Sequence, residues 1–258
     1  MTLSVVFHTV DVPMPEGVAD AYVARPDDGS AHPGVLFLSD AFGLRPWIRE
    51  MIEVIAAQGY TVLAPNIFYR SGTAPVLPMP DFAEPDAAAT FFAAHAPVRA
   101  ALTPELSLRD VGGYLNWLSD SEHVIPGGVG IVGYCMGGRL ALRAAGEYGP
   151  GVAATASFHG GMLAVEEAPD SPHHAADRIE AELFIAHADA DRSMPADQIA
   201  VLDKALEAAG VRYTSVTYPG AGHGFTMRDV PAYDDAAYRR HLGDLVELLR
   251  RTLPAEAA

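Results

Sequence analysis

Apolar positions along the chain alternate between two kinds of spacing. Short, nearly unbroken apolar runs occur at "GVLFLSD" (34–40), "TVLAP" (61–65), "GVGIVGY" (128–134), "VAATASFHG" (152–160), "AELFIAHAD" (181–189) and "RYTSVTYPG" (212–220). Runs of this length bounded by Gly, Pro or Asp predict strands buried on both faces. Between them the spacing becomes helical. In "RPWIREMIEVIAAQGY" it brings Trp47, Ile48, Met51, Ile52 and Ile55 to one side, with Gly59 as a stop signal. "SLRDVGGYLNWLSD", "MGGRLALRAAGEY" and "PADQIAVLDKALEAAG" also read as helices, and in "DDAAYRRHLGDLVELLRRTL" Leu242, Leu245, Leu248 and Leu249 form the apolar stripe.

Strand and helix in alternation imply crossover connections, hence an α/β fold with a mostly parallel central sheet and helices on both faces. The first two strand-like segments, "LSVVFHTV" and "AYVARP", have no helix between them and predict an N-terminal antiparallel edge hairpin. No repeat or long linker divides residues 1–258, so one domain is expected. Residues 71–103 break the regularity with Pro, Ala and acidic residues. They follow a strand and so emerge at the carboxyl edge of the sheet, where ligands bind in such folds. They read as a partly helical flap or as a surface insertion without function.

Composition narrows the partners. Half of the 258 residues are hydrophobic, enough for a sizeable core, and the formal charge of −16 disfavours nucleic acid and anionic membrane surfaces. No apolar run reaches the roughly 18 residues a membrane helix needs, and the N-terminal stretch lacks a signal-peptide pattern. The single cysteine requires no oxidising compartment. A cytoplasmic protein is the expectation.

That cysteine sits in "GYCMGG", between a predicted strand and a predicted helix. Gly133-Tyr134-Cys135-Met136-Gly137 has the G-x-S-x-G pattern of a nucleophile elbow, with Cys for Ser. The turn would lift the sulfur above the sheet edge at a helix N-terminus, which favours a thiolate, and would aim the Met136 N–H into the same space. Taken alone, the pentapeptide suits a small buried thiol equally well. Gly128, Gly130 and Gly133 also spell G-x-G-x-x-G, but they lie within the strand, and no carboxylate follows about 20 residues on, so a dinucleotide site is not expected.

A thiol nucleophile needs a base and a group to orient that base. His223 lies in a Gly-flanked loop after the last strand, and Asp189 and Asp191 follow the strand before it. Asp191, four residues ahead of the Pro195 that opens the next helix, is the better placed acid. His187, Asp189 and Asp191 could be read as a metal cluster, but no second group stands at ligand spacing, and His173-His174 has no partners.

On these segments the sequence resembles the dienelactone hydrolase family, α/β-hydrolases with a Cys–Asp–His triad. "SDAFGLRPWIREMIEVIAAQGYTVLAPNIFYR", "GIVGYCMGGRLAL", "ADRSMP" and "AGHGF" follow in the family's order along nearly the whole chain. The resemblance implies Cys135 as nucleophile, Asp191 as orienting acid, His223 as base, and the Ala41 N–H as a second oxyanion donor beside that of Met136. Where the family has a glutamate that tunes the nucleophile, this chain has Asp40, one methylene shorter. The family's arginines for a substrate carboxylate have no clean match. Arg70, Arg99 and Arg228 are the candidates, with Tyr69 beside them. Phe42, Phe68, Phe91 and Phe92 are candidate pocket or core aromatics. The expected activity is hydrolysis of a small ester or lactone without metal or organic cofactor. A catalytically silent binding protein and a thiol sensor are the alternatives.

Overall fold

The computed structural model describes residues 3–253. β1 (Val5–Met14) and β2 (Gly17–Pro26) form the expected antiparallel hairpin, longer at the turn than the sequence pattern suggests. Then follow β3 (Gly34–Leu38), α1 (Pro46–Ala56), β4 (Thr61–Pro65), α2 (Ala87–Ala101), α3 (Pro104–Ser119), β5 (Val129–Tyr134) and α4 (Met136–Tyr148). β6 (Val152–Phe158), β7 (Glu182–Ala188), α5 (Ala196–Ala208), β8 (Tyr213–Tyr218) and α6 (Asp235–Thr252) complete the order. The eight strands form one sheet in the order β1-β2-β4-β3-β5-β6-β7-β8. β2 runs antiparallel to both β1 and β4, and every other pairing is parallel.

Strand side chains alternate between two cores. Leu36, Leu38, Ile131, Leu183 and Ile185 face α3, α4 and α5, whereas Val35, Phe37, Val132, Phe184 and Ala186 face α1 and α6. Burial on both sides explains why these strands read as unbroken apolar runs. Gly130 serves the packing of α6: a Cβ there would stand 2.9 Å from Leu253 and 3.0 Å from Leu249. The glycines that mimic a nucleotide motif are packing residues too: Gly128, just ahead of β5, lies against Ala153, and Gly133, within β5, lies against the turn that follows.

Pairing of Leu38 with Gly133, Tyr134 with Phe158, and Phe158 with Ala186 brings the carboxyl ends of β3, β5, β6 and β7 level. Asp40-Ala41, Cys135, His159 and Asp191 thus leave the sheet along one edge. Several strands end short of the segments read from the sequence. β6 ends at Phe158 rather than Gly160, because His159 turns to φ +40° and leaves the strand. The flap contains one long helix, α2, which accommodates Pro97 within its length. His173 and His174 lie in a 3₁₀ segment, Pro172–Arg178, that the loop-like composition did not indicate. No helix of the described residues is long and apolar enough to cross a membrane.

Candidate active site

Cys135 occupies the turn from β5 into α4 at φ +54° and ψ −117°. A side chain at positive φ outside the usual regions carries about 1–3 kcal/mol of strain that its surroundings must hold. They do so by close approach. A Cβ at Gly133 would lie 2.1 Å from the Gly137 carbonyl oxygen, and one at Gly137 would lie 2.2 Å from that of Leu38. Both glycines are thereby required on steric grounds. The Cys135 N–H donates to the Phe158 carbonyl at 3.0 Å, tying the turn to β6, and the first turn of α4 begins at Met136. The sulfur therefore meets the positive end of a helix dipole.

His223 Nε2 lies 3.0 Å from Cys135 Sγ, and His223 Nδ1 lies 2.6 Å from Asp191 Oδ2. The other carboxylate oxygen of Asp191 accepts from the Ser193 N–H at 2.8 Å and the Ser193 hydroxyl at 2.7 Å. Ser193 thus fixes the acid that fixes the imidazole. Burial by itself would push His223 down. Its hydrogen bonds and charge interactions with Asp191 and Cys135 outweigh that and raise its pKa to about 10. Burial likewise opposes ionisation of Asp191, yet His223 and Ser193 hold its carboxyl below the ordinary carboxylate value. The geometry favours an imidazolium beside the Asp191 carboxylate over a neutral ring.

The N–H groups of Ala41 and Met136 have no acceptor among the hydrogen bonds of the described residues. Ala41 lines a cavity of about 310 Å³ together with Cys135, His223, His159 and Asp40. Unpaired backbone donors beside a thiol are groups free to donate a hydrogen bond to a further partner in the cavity. The loop bearing Ala41 is pinned by Asp40, whose Oδ1 accepts from the Phe42 N–H at 3.0 Å. Arg45 then donates to both oxygens of Asp40, at 2.7 and 2.9 Å, and to both of Asp229, at 2.6 and 3.1 Å.

The sequence profile of the dienelactone hydrolase family matches residues 19–253. The chain belongs to the dienelactone hydrolase family. A Methylorubrum extorquens protein provisionally named a carboxymethylenebutenolidase is 26% identical over 226 residues, covering 87% of this chain and 74% of that one. A Rhodococcus opacus carboxymethylenebutenolidase is 25% identical over 205 residues, 79% of this chain and 74% of its own. The fold matches the crystal structure of a provisionally named dienelactone hydrolase from Klebsiella pneumoniae with a TM-score of 0.83 at 22% identity. That match covers 96% of this chain and 99% of the other.

In this dienelactone hydrolase-like hydrolase, several residues expected at the site stand elsewhere. Asp40 reaches the cavity wall, but its carboxylate serves Arg45, and no hydrogen bond joins it to Cys135 among the described residues. Arg70 donates to Asp110 at 2.5 and 2.8 Å and to Glu16 at 2.5 Å, while Tyr69 is packed in the core on the α3 side. Arg228 pairs with Glu50 and covers the Trp47 ring, and Arg99 is exposed at the end of α2. None of these four lines the Cys135 cavity. Long side chains take whatever carboxylate the tertiary fold brings near, and one-dimensional spacing does not reveal it. Of the aromatics, Phe42 and Phe92 line the cavity, joined by Phe82. Phe91 and Phe68 instead pack on buried His95. The supposed metal cluster is divided: His187 meets Ser215, Asp189 accepts from the Gly220 N–H, and Asp191 meets His223.

Sequence reasoning missed Arg45, Asp229, Ser193 and His159. Ser193 had a readable signal, since an Asp followed two residues on by Ser is a common Asx-turn pattern. His159 is fully buried, with Nε2 2.7 Å from Thr226 Oγ1 and its ring edge-on to His223 at 5.3 Å. Burial, with His223 and His241 nearby, drives its pKa far down and keeps it neutral. Its neighbours "SFHGG" are unremarkable as sequence.

Proposed function

We propose that the protein hydrolyses a carboxylic ester or lactone of a small molecule, with Cys135 as nucleophile. The observation that supports this most directly is the unbroken series Sγ, imidazole, carboxylate, at 3.0 and 2.6 Å, beside two unpaired N–H donors. The names carried by the Methylorubrum and Rhodococcus relatives support the same bond type.

In this reading the Cys135 thiolate attacks the carbonyl carbon, and the electron pair of the C=O bond moves to oxygen. The Ala41 and Met136 N–H groups hold that oxyanion. Collapse expels the alkoxide, which takes its proton from His223 Nε2, leaving an acyl-thioester on Cys135. Neutral His223 then takes a proton from water as the water attacks the thioester. The tetrahedral intermediate releases the acid and restores the thiolate–imidazolium pair. Asp191 holds the ring with Nδ1–H directed at its carboxylate throughout, and Ser193 holds Asp191. A lone catalytic thiol suits a reducing compartment such as the cytoplasm.

A panel of activated esters and small lactones tests this, with intact-mass detection of an acyl group on Cys135. Wild type turns over at least one of them, and Cys135→Ala turns over none. Hydrolysis surviving in Cys135→Ala removes the thiol from the mechanism. A wild type that hydrolyses nothing but oxidises reversibly at Cys135 is a thiol sensor instead.

A further inference from the structure

Apart from Asp40, Cys135, His159 and His223, the side chains lining the cavity beside Cys135 are apolar. They include the aromatic group Phe42, Phe82 and Phe92, with Met227, Val230 and Pro231. The cavity volume, about 310 Å³, is at the small end for ligand sites. No lysine or arginine lines it among the described residues.

The guanidinium that bonds a residue of the cavity lining is already committed. Arg45 is 3% exposed, and its donors are taken by Asp40, Asp229 and the Gly43 carbonyl. Arg70 and Arg228 are bound to carboxylates outside the cavity, and Arg99 points from the exposed end of α2. The charged side chains that line the cavity or bond to its lining carry net negative charge. His223 and Arg45 stand against three carboxylates, Asp191, Asp40 and Asp229. The chain's overall charge of −16 adds to it. A ligand carboxylate entering this space would lose its water, gain no cation and face repulsion.

We propose that the site selects an uncharged substrate, an ester or lactone with a small apolar acyl group and no free carboxylate. The proposal rests on the hydrolase reading above and narrows it. The aromatic wall accepts an aliphatic or phenyl acyl chain by dispersion and burial alone. Selectivity arises because a buried charge without a partner is rejected much more strongly than a missing methylene.

The test uses a matched pair, p-nitrophenyl hexanoate and mono-p-nitrophenyl adipate, which differ by a terminal methyl against a carboxylate. Wild type is expected to favour the hexanoate in kcat/KM by at least about 100-fold. Val230→Arg, which places a cation on the cavity wall, narrows that ratio. Equal or better use of the adipate by wild type overturns the proposal. Binding separates this outcome from failure of the hydrolase reading. Calorimetry of Cys135→Ala with methyl hexanoate and monomethyl adipate reports the preference without turnover. Tighter binding of the neutral ester supports the proposal even if wild type hydrolyses neither substrate. Tighter binding of the acid, or binding of neither, overturns it.

Discussion

Arg45 grips Asp229 across 184 positions of sequence, with Nε and Nη2 donating to the two carboxylate oxygens at 2.6 and 3.1 Å. The contact joins the loop after β3, which carries the Ala41 N–H, to the segment that follows His223. Burial disfavours the guanidinium charge, but Asp40 and Asp229 more than restore it and raise its pKa above the ordinary arginine value. Two halves of the site that sequence places far apart are thereby held in register.

Arg45→Met should leave Asp40 buried and unpaired, a change that typically costs about 3–5 kcal/mol. A denaturant melt is expected to show that loss, and kcat on an activated ester should fall as the Ala41 loop loosens. Asp229→Asn, at the more exposed end of the pair, should lose less on both measures.

Asp191→Asn keeps the shape but lets the imidazole ring adopt the wrong tautomer. The expected fall in kcat/KM is about 10²–10⁴-fold, with some loss of melting temperature because the pair that raises His223 is broken. Ser193→Ala, which frees one oxygen of Asp191, should produce a smaller fall in the same direction.

His223 gives the pH dependence its sign. Its folded pKa, about 10, lies above the ordinary value of 6.5, so the folded state binds the proton more tightly. The stability this contributes is complete below about pH 6.5 and is lost as pH rises through about 10. Activity on an alkyl ester should fall over the upper part of that range, as the imidazolium that protonates the leaving alkoxide disappears. In Asp191→Asn the fall should move to lower pH, because a group that raises the histidine has been removed. A kcat/KM profile of both proteins checks this.

Gly137→Ala places a methyl 2.2 Å from the Leu38 carbonyl, where backbone rather than a yielding side chain stands in the way. Overpacking of this kind costs about 3 kcal/mol or more. Reduced melting temperature and lost activity are expected together, since β3 and the elbow must move apart.

Arg228→Gln removes an exposed pair with Glu50 and a stacking contact on Trp47, both outside the cavity. Steady-state kinetics on a neutral ester should remain within about twofold of wild type, because surface pairs contribute little.

The sheet was legible because its strands are buried on both sides, so "GVLFL" and "TVLAP" carry no polar interruption to confuse the period. Cys135, Asp191 and His223 could be singled out because each follows a strand, in the chain order of an α/β-hydrolase. Arg45 was not, since a buried arginine and an exposed one look the same in a string of letters. Nor was the departure of His159 from its strand, which depends on backbone dihedrals that "SFHGG" does not dictate. The orientation of Asp40 likewise follows from where α1 begins and Arg45 reaches, a tertiary matter.

Part of the cavity wall comes from a different stretch of chain than the reacting groups. Phe82, Ala88 and Phe92 belong to the flap, whereas Cys135, Asp191 and His223 are set by the ends of β5, β7 and β8. The flap can therefore be exchanged like the jaws of a tool, altering what is gripped without resetting the cutting edge. Transplanting residues 71–103 between members of this family should carry preference for the acyl chain along with it, while the rate-limiting chemistry stays with the recipient.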